Sequence, residues 1–183
     1  MLLTLALTIG IGIASSPQGS EITEPCDSAK EEEYLAALRD DELKANEPEW
    51  FVHAIECLGQ LRSVAAVNPL IDLLSYRRTF WWDGTGAIPS LVLTLGRYPA
   101  GGALARIGEP ALPRIIETVA ASDSGSAESD VLLDILLTIF HYEREKGLLL
   151  LKKASIVARA ETGRRRLLDM ARRYAAVVKL GEP

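Results

Sequence analysis

Arg77, Arg78, Phe80, Trp81 and Trp82 place two guanidinium groups beside three aromatic rings in one short stretch. Arg and Trp combine a wide apolar area with polar handles, and that mixture suits protein recognition rather than bond-breaking. The bland account is an insertion that folds back and buries Trp81 or Trp82. Both can hold, with one ring inward and the other outward. A second cationic set, Arg165, Arg166, Arg172 and Arg173, lies near the C-terminus. It could form a stripe against a phosphate or an anionic membrane. A solvated polar face explains it more simply, because Leu167, Leu168, Ala171 and Tyr174 between these arginines read as core contacts.

Residues that could do acid–base or nucleophilic work are scattered. His53 and His141 are lone histidines on helical segments and read as structural or surface residues. Asp83 precedes Gly84 and suits a turn. Glu31, Glu32 and Glu33 are consecutive and cannot converge on one helical face. No Ser-His-Asp spacing, phosphate-binding glycine loop or dinucleotide fingerprint occurs. No metal-ligand pattern arises from two cysteines and two distant histidines, and no cofactor is expected. Cys26 and Cys57 could form a disulfide tying the N-terminal arm to the first repeat, if the chain is exported. Otherwise Cys57 is a buried thiol on an apolar helix face and Cys26 an exposed one.

The elements that must position these residues are helical. The chain has 183 residues, enough for one domain with a real core. Its formal charge of −5 gives no global field favouring nucleic acid, which is not an expected partner. The charge is uneven: 21–49 is acidic and the stretch from Arg159 to Lys179 is basic. These two ends are solvated faces, or they complement charged partners or the opposite ends of neighbouring copies.

Residues 1–20 resemble a secretory signal. Leu2 to Ala14 is almost wholly apolar, too short for a comfortable span, and is followed by Ala14, Ser15, Ser16 and Gly19. The absence of Lys or Arg after Met1 counts against it. A misassigned start or a short membrane anchor would account for that. Membrane contact is expected only through this segment if it is uncleaved. The expected location is exported, periplasmic or extracellular, or cytoplasmic with a misassigned start.

Residues 21–47 read as an acidic lead-in with a capping helix, where Ser28 and Glu31 fit a capping box. Residues 48–180 carry helical periodicity, broken between Ser75 and Ser90 and at the linker 121–129. A helix is expected from Pro48 through Phe51, Val52, Ile55 and Leu58 to a break at Gly59. Its partner runs from Val64 to Leu74, and Pro69 either kinks it or marks its first turn. A loop covers Ser75 to Ser90, and Pro89 then opens a helix. Gly101 and Gly102 suit a place where two helices press together. Gly108-Glu109-Pro110 turns the chain, residues 121–129 form a linker, Gly147 breaks a helix, and Thr162 caps the last one. Roughly seven to nine helices with short connections follow.

Two segments repeat this design. Ala54-Ile55-Glu56-Cys57-Leu58-Gly59 precedes Ala66-Val67-Asn68-Pro69-Leu70-Ile71, and Ala103-Leu104-Ala105-Arg106-Ile107-Gly108 precedes Ala111-Leu112-Pro113-Arg114-Ile115-Ile116. Pro69 and Pro113 are 44 residues apart, an α-solenoid period. The segment from Tyr98 to Pro113 resembles a HEAT repeat, and more narrowly the HEAT-like repeats of bacterial proteins of the phycobilin-lyase type. Ala54 to Leu74 has the same form. The sequence lacks the Asp-Pro-Arg turn common in such repeats, and a third unit is barely recognisable. The resemblance implies an all-α fold, a short α-solenoid of antiparallel helical hairpins. It implies no catalytic residue, because none belongs to the repeat. The reading is a non-catalytic protein-interaction or scaffold module, binding a protein through a concave helical face and the aromatic loop. The alternative is a small-ligand-binding or lyase-like repeat protein, which a deep pocket lined by His53, Asp83 or Glu109 would favour.

Overall fold

In the computed structural model, residues 25–78, 95–123 and 125–180 are described. They hold α1 (Glu31–Ala37), α2 (Asp41–Asn46), α3 (Pro48–Gln60), α4 (Val67–Asp72), α5 (Pro99–Ile107), α6 (Leu112–Ala121), α7 (Ala127–Ile139), α8 (Arg144–Val157) and α9 (Glu161–Leu180). Short 3-10 turns precede α1, α4 and α6, and there is no strand among the described residues. The fold is therefore all-α. The expected leader, Phe80 to Ser90 and the helix opening at Pro89 lie outside the described residues.

The helices stack in two rows. In one row α3 packs on α5 and α5 on α7; in the other α4 packs on α6 and α6 on α9. One continuous core runs between the rows, through Phe51, Ile55 and Leu58 of α3, Leu70 of α4, Leu104 of α5, Ile115 of α6, and Leu132 and Ile135 of α7. These positions recur every three or four residues, so each helix turns one apolar stripe to the same seam. The hairpins α3/α4 and α5/α6 are equivalent, since α4 starts at Val67 and α6 at Leu112, 45 positions on. The prolines, 44 apart, sit in the first turn of each second helix but one position out of register. A third hairpin is hard to see because α7 meets α9, its partner against α6, only after the additional helix α8.

Several boundaries differ from expectation for local reasons. Asp27, not Ser28 with Glu31, caps the first turn, its carboxylate accepting from the Ala29 N–H at 2.9 Å. The short α2 was missed; Asp40 caps it through the Leu43 N–H. Thr162 lies inside α9 rather than before it. Gly59 does not break α3 but lies within it, against α5. Helix α3 ends one residue later, at Gln60, and beyond it Arg62 adopts φ 54°. There the Ser63 N–H donates to Leu58 O at 3.0 Å and the Arg62 N–H to Gly59 O at 3.2 Å, closing the helix with a left-handed residue. After α5 the left-handed position is Gly108, φ 79°, which suits it. Arg62 carries a Cβ there at a cost of about 1 kcal/mol. Arg62→Gly should therefore raise stability by about 0.5–1 kcal/mol, read as a higher urea midpoint with an unchanged slope.

Gly147 likewise lies inside α8, and the break expected there falls at 140–143. A Cβ on Gly147 would stand 2.5 Å from the Tyr174 hydroxyl oxygen and 2.9 Å from the Phe140 ring, so the glycine makes room for α9 to press on α8. The Tyr174 hydroxyl is buried without a hydrogen-bond partner among the described residues. Burial pushes its pKa up from 10.0, with Arg144 opposing. A phenol whose folded pKa is raised adds stability below its unfolded pKa. That stability is lost as pH rises above about 10 through the folded value. Tyr174→Phe removes the orphan hydroxyl, and a gain of about 1 kcal/mol at neutral pH is expected. The decline in stability on the alkaline side of pH 10 should also become shallower, which denaturant titrations from pH 7 to 11 would measure.

Candidate interaction surface

The stem of the loop between α4 and α5 is fastened on three sides. The Arg78 N–H donates to Arg97 O at 3.1 Å, bringing residues 78 and 97 together. The Arg78 guanidinium meets Glu56 of α3 at 3.4 Å. The Arg77 guanidinium lies 5.5 Å from the centre of the Tyr98 ring, over its face. Phe80, Trp81, Trp82 and Asp83 are outside the described residues. Beside the stem is a hollow of about 310 Å³. Leu95, Pro99, Gly102 and Ala105 give it an apolar floor, with Glu56, Arg106 and Thr138 around it. Its walls come from α3, α5 and α7, so the row of stacked helices builds it rather than any single repeat.

A second cleft, of about 410 Å³, opens between α6 and α8. Leu112, Pro113, Ile116, Phe140 and Leu150 line it. At its mouth Lys146 bridges Glu109 at 2.6 Å and Glu143 at 3.0 Å. Hydrogen bonds to Glu109, then Glu143, favour the charged amine and raise its pKa. Sequence reasoning missed this cleft apart from Glu109. The signal was the run Leu148-Leu149-Leu150-Leu151, since four consecutive leucines on a helix cannot all face one core.

Arg165, Arg166, Arg172 and Arg173 of α9 each bond within the chain. Arg166 donates to the carbonyls of Ala120 and Ala121 at the end of α6, satisfying orphan acceptors there, and pairs with Asp123. Arg173 donates to Ser129 Oγ and pairs with Asp130 on α7. Arg165 pairs with Glu161, and Arg172 with Asp169. An anion would have to compete with these contacts.

His53 is buried on α3, with Trp50 at 5.2 Å and Tyr34 edge-on at 6.2 Å between ring centres. It borders neither hollow. His141 lies on the exposed turn before α8, against Tyr142. Cys26 and Cys57 are joined as a disulfide, Cα atoms 5.1 Å apart, which fastens the stretch before α1 to the middle of α3.

No curated protein and no solved structure matches the chain. Residues 52–76 match the family described as PBS lyase HEAT-like repeat. That span runs from α3 through α4, the first of the two equivalent hairpins. Residues 52–76 are thus similar to a PBS lyase HEAT-like repeat, and the described residues form an all-α stack of helical hairpins consistent with a HEAT-like solenoid.

Proposed function

We propose that this chain is a non-catalytic protein-interaction module that grips its partner with the loop carrying Arg77, Arg78, Phe80, Trp81 and Trp82. The observation that carries this reading is the fastened stem, with Arg78 bonded to both Arg97 and Glu56. Fixing residues 77, 78 and 97 against the stacked helices leaves fewer residues to be ordered when a partner binds. The hollow beside it, apolar at the floor and charged at the rim, has the make-up of a binding patch. Export is part of the proposal, supported by the apolar leader and by a Cys26–Cys57 bond that persists in an oxidising compartment.

Affinity capture with the chain beside a Trp81→Ala/Trp82→Ala variant tests the reading. The variant should keep its helical circular dichroism and lose partners that the parent recovers, because hot-spot tryptophans each contribute about 2 kcal/mol or more. Equal recovery by both baits would remove the loop from the function. A small-ligand or lyase-like role is the second reading; the α6–α8 cleft favours it, with Glu109 at the mouth.

A further inference from the structure

The two sulfurs of the disulfide differ in access. Cys57 is fully buried on α3. Cys26 is only half-buried and sits in a stretch whose neighbours Pro25, Asp27, Ser28 and Ala29 are exposed. The Cys26 end of the bond is therefore the more open to an incoming thiolate, and the Cys57 end is closed. The sulfur that must leave is the one beside His53, one helical turn earlier, whose Nε2 lies 3.4 Å from Cys57 Sγ. A disulfide sulfur carries no hydrogen, so the imidazole is the donor of this contact. The ring is held in place by Trp50 and Tyr34. Cys57 is in the body of α3, away from the exposed amide groups of a helix start, so His53 is the group placed to stabilise charge on that sulfur.

We propose that Cys26–Cys57 is a thiol–disulfide exchange site, attacked at Cys26 by a thiol of the glutathione or dithiol-carrier class, with His53 stabilising the departing Cys57 sulfur. The thiolate bonds to Cys26 Sγ, the bond between the cysteines breaks, and its electron pair stays on Cys57 Sγ. The Nε2–H bond holds that charge until solvent supplies a proton. A second thiolate then attacks the sulfur of the added thiol, releasing Cys26 as a thiolate and a disulfide of the reductant. Two cysteine thiols form and two reductant thiols are oxidised. Reduction would remove the covalent tie of the stretch before α1, where the Asp27 N–H also lies 3.4 Å from the Tyr34 hydroxyl.

The test treats the full folded chain with reduced glutathione, quenches with acid, alkylates the free thiol and maps the adduct by peptide mass. Glutathione is expected on Cys26 and the alkyl group on Cys57. His53→Gln, which keeps a donor, should react within roughly threefold of the parent rate, and His53→Phe about tenfold more slowly. Glutathione on Cys57, or no adduct on the folded chain, overturns the proposal without any variant. A folded His53→Phe chain that reacts as fast as the parent overturns the role of His53; should that variant not fold, a folded His53→Gln chain slowed tenfold or more does so instead.

Discussion

Gly59→Val is expected to destabilise the protein by about 3–4 kcal/mol, near the upper end for a single substitution. A Cβ at residue 59 would stand 2.7 Å from Ala103 Cα and 3.0 Å from its Cβ. The nearest atom belongs to the backbone of α5, so no side chain can rotate aside, and the whole helix must retreat from α3. That retreat loosens the row at its first step, around Ile55, Leu58 and Leu104, all fully buried. The gain in helix propensity on losing glycine is below about 1 kcal/mol, too small to offset it. Gly102 is the internal control. Among the described residues its added Cβ would meet Leu95 O alone, at 3.4 Å, an ordinary contact. Gly102→Ala should therefore be neutral or stabilising by up to about 1 kcal/mol. Urea unfolding of the two variants beside the parent checks both; a loss below 1 kcal/mol at residue 59 would mean that α3 and α5 do not approach so closely.

The same glycine shows how far the sequence could be read. Helices were legible because Phe51, Ile55 and Leu58, or Ile115 and Val119, repeat at helical spacing, and the hairpin was legible because Ala54–Ile71 has a counterpart in Ala103–Ile116. The roles of individual glycines were not. Gly59 and Gly108 occupy matching places in the two segments, yet one is a contact inside a helix and the other a left-handed stop. Propensity sees only that glycine weakens a helix; whether a neighbouring backbone needs the space is a tertiary fact. The expectation that Gly101 marks close packing stands, since a Cβ there would meet Val131 of α7 at 2.8 Å. The arginines of α9 show the same limit. Sequence reveals a cationic cluster, but only the fold brings Arg166 to the end of α6 and Arg173 to Ser129, more than forty positions away in each case. The α6–α8 cleft depends on contact between helices distant in sequence, which no local pattern records. The stem of the aromatic loop was named from Arg77 and Arg78, while its partners Glu56, Arg97 and Tyr98 were not.

Removing the disulfide should cost about 3–4 kcal/mol. Cys26 and Cys57 are 31 positions apart, and a closed loop of that length removes this much chain entropy from the unfolded state. The loop encloses α1 and α2, two short helices of 7 and 6 residues that are marginal alone. Both rest on α3, α1 burying Tyr34 and Ala37 and α2 burying no residue fully. Without the bond their ordering rests mainly on Tyr34, Ala37 and Leu38, a small share of the core. The loss should therefore divide unevenly. Cys26→Ala/Cys57→Ala is expected to lower the urea midpoint and also to speed hydrogen exchange in α1 and α2 more than in α5 or α7. The parent chain reduced by excess dithiothreitol should lose stability too, and by somewhat less than the double variant, which also lacks the buried Cys57 sulfur. A double variant within 1 kcal/mol of the oxidised parent, or exchange accelerated equally in every helix, would show that the acidic N-terminal cap holds to α3 by packing alone.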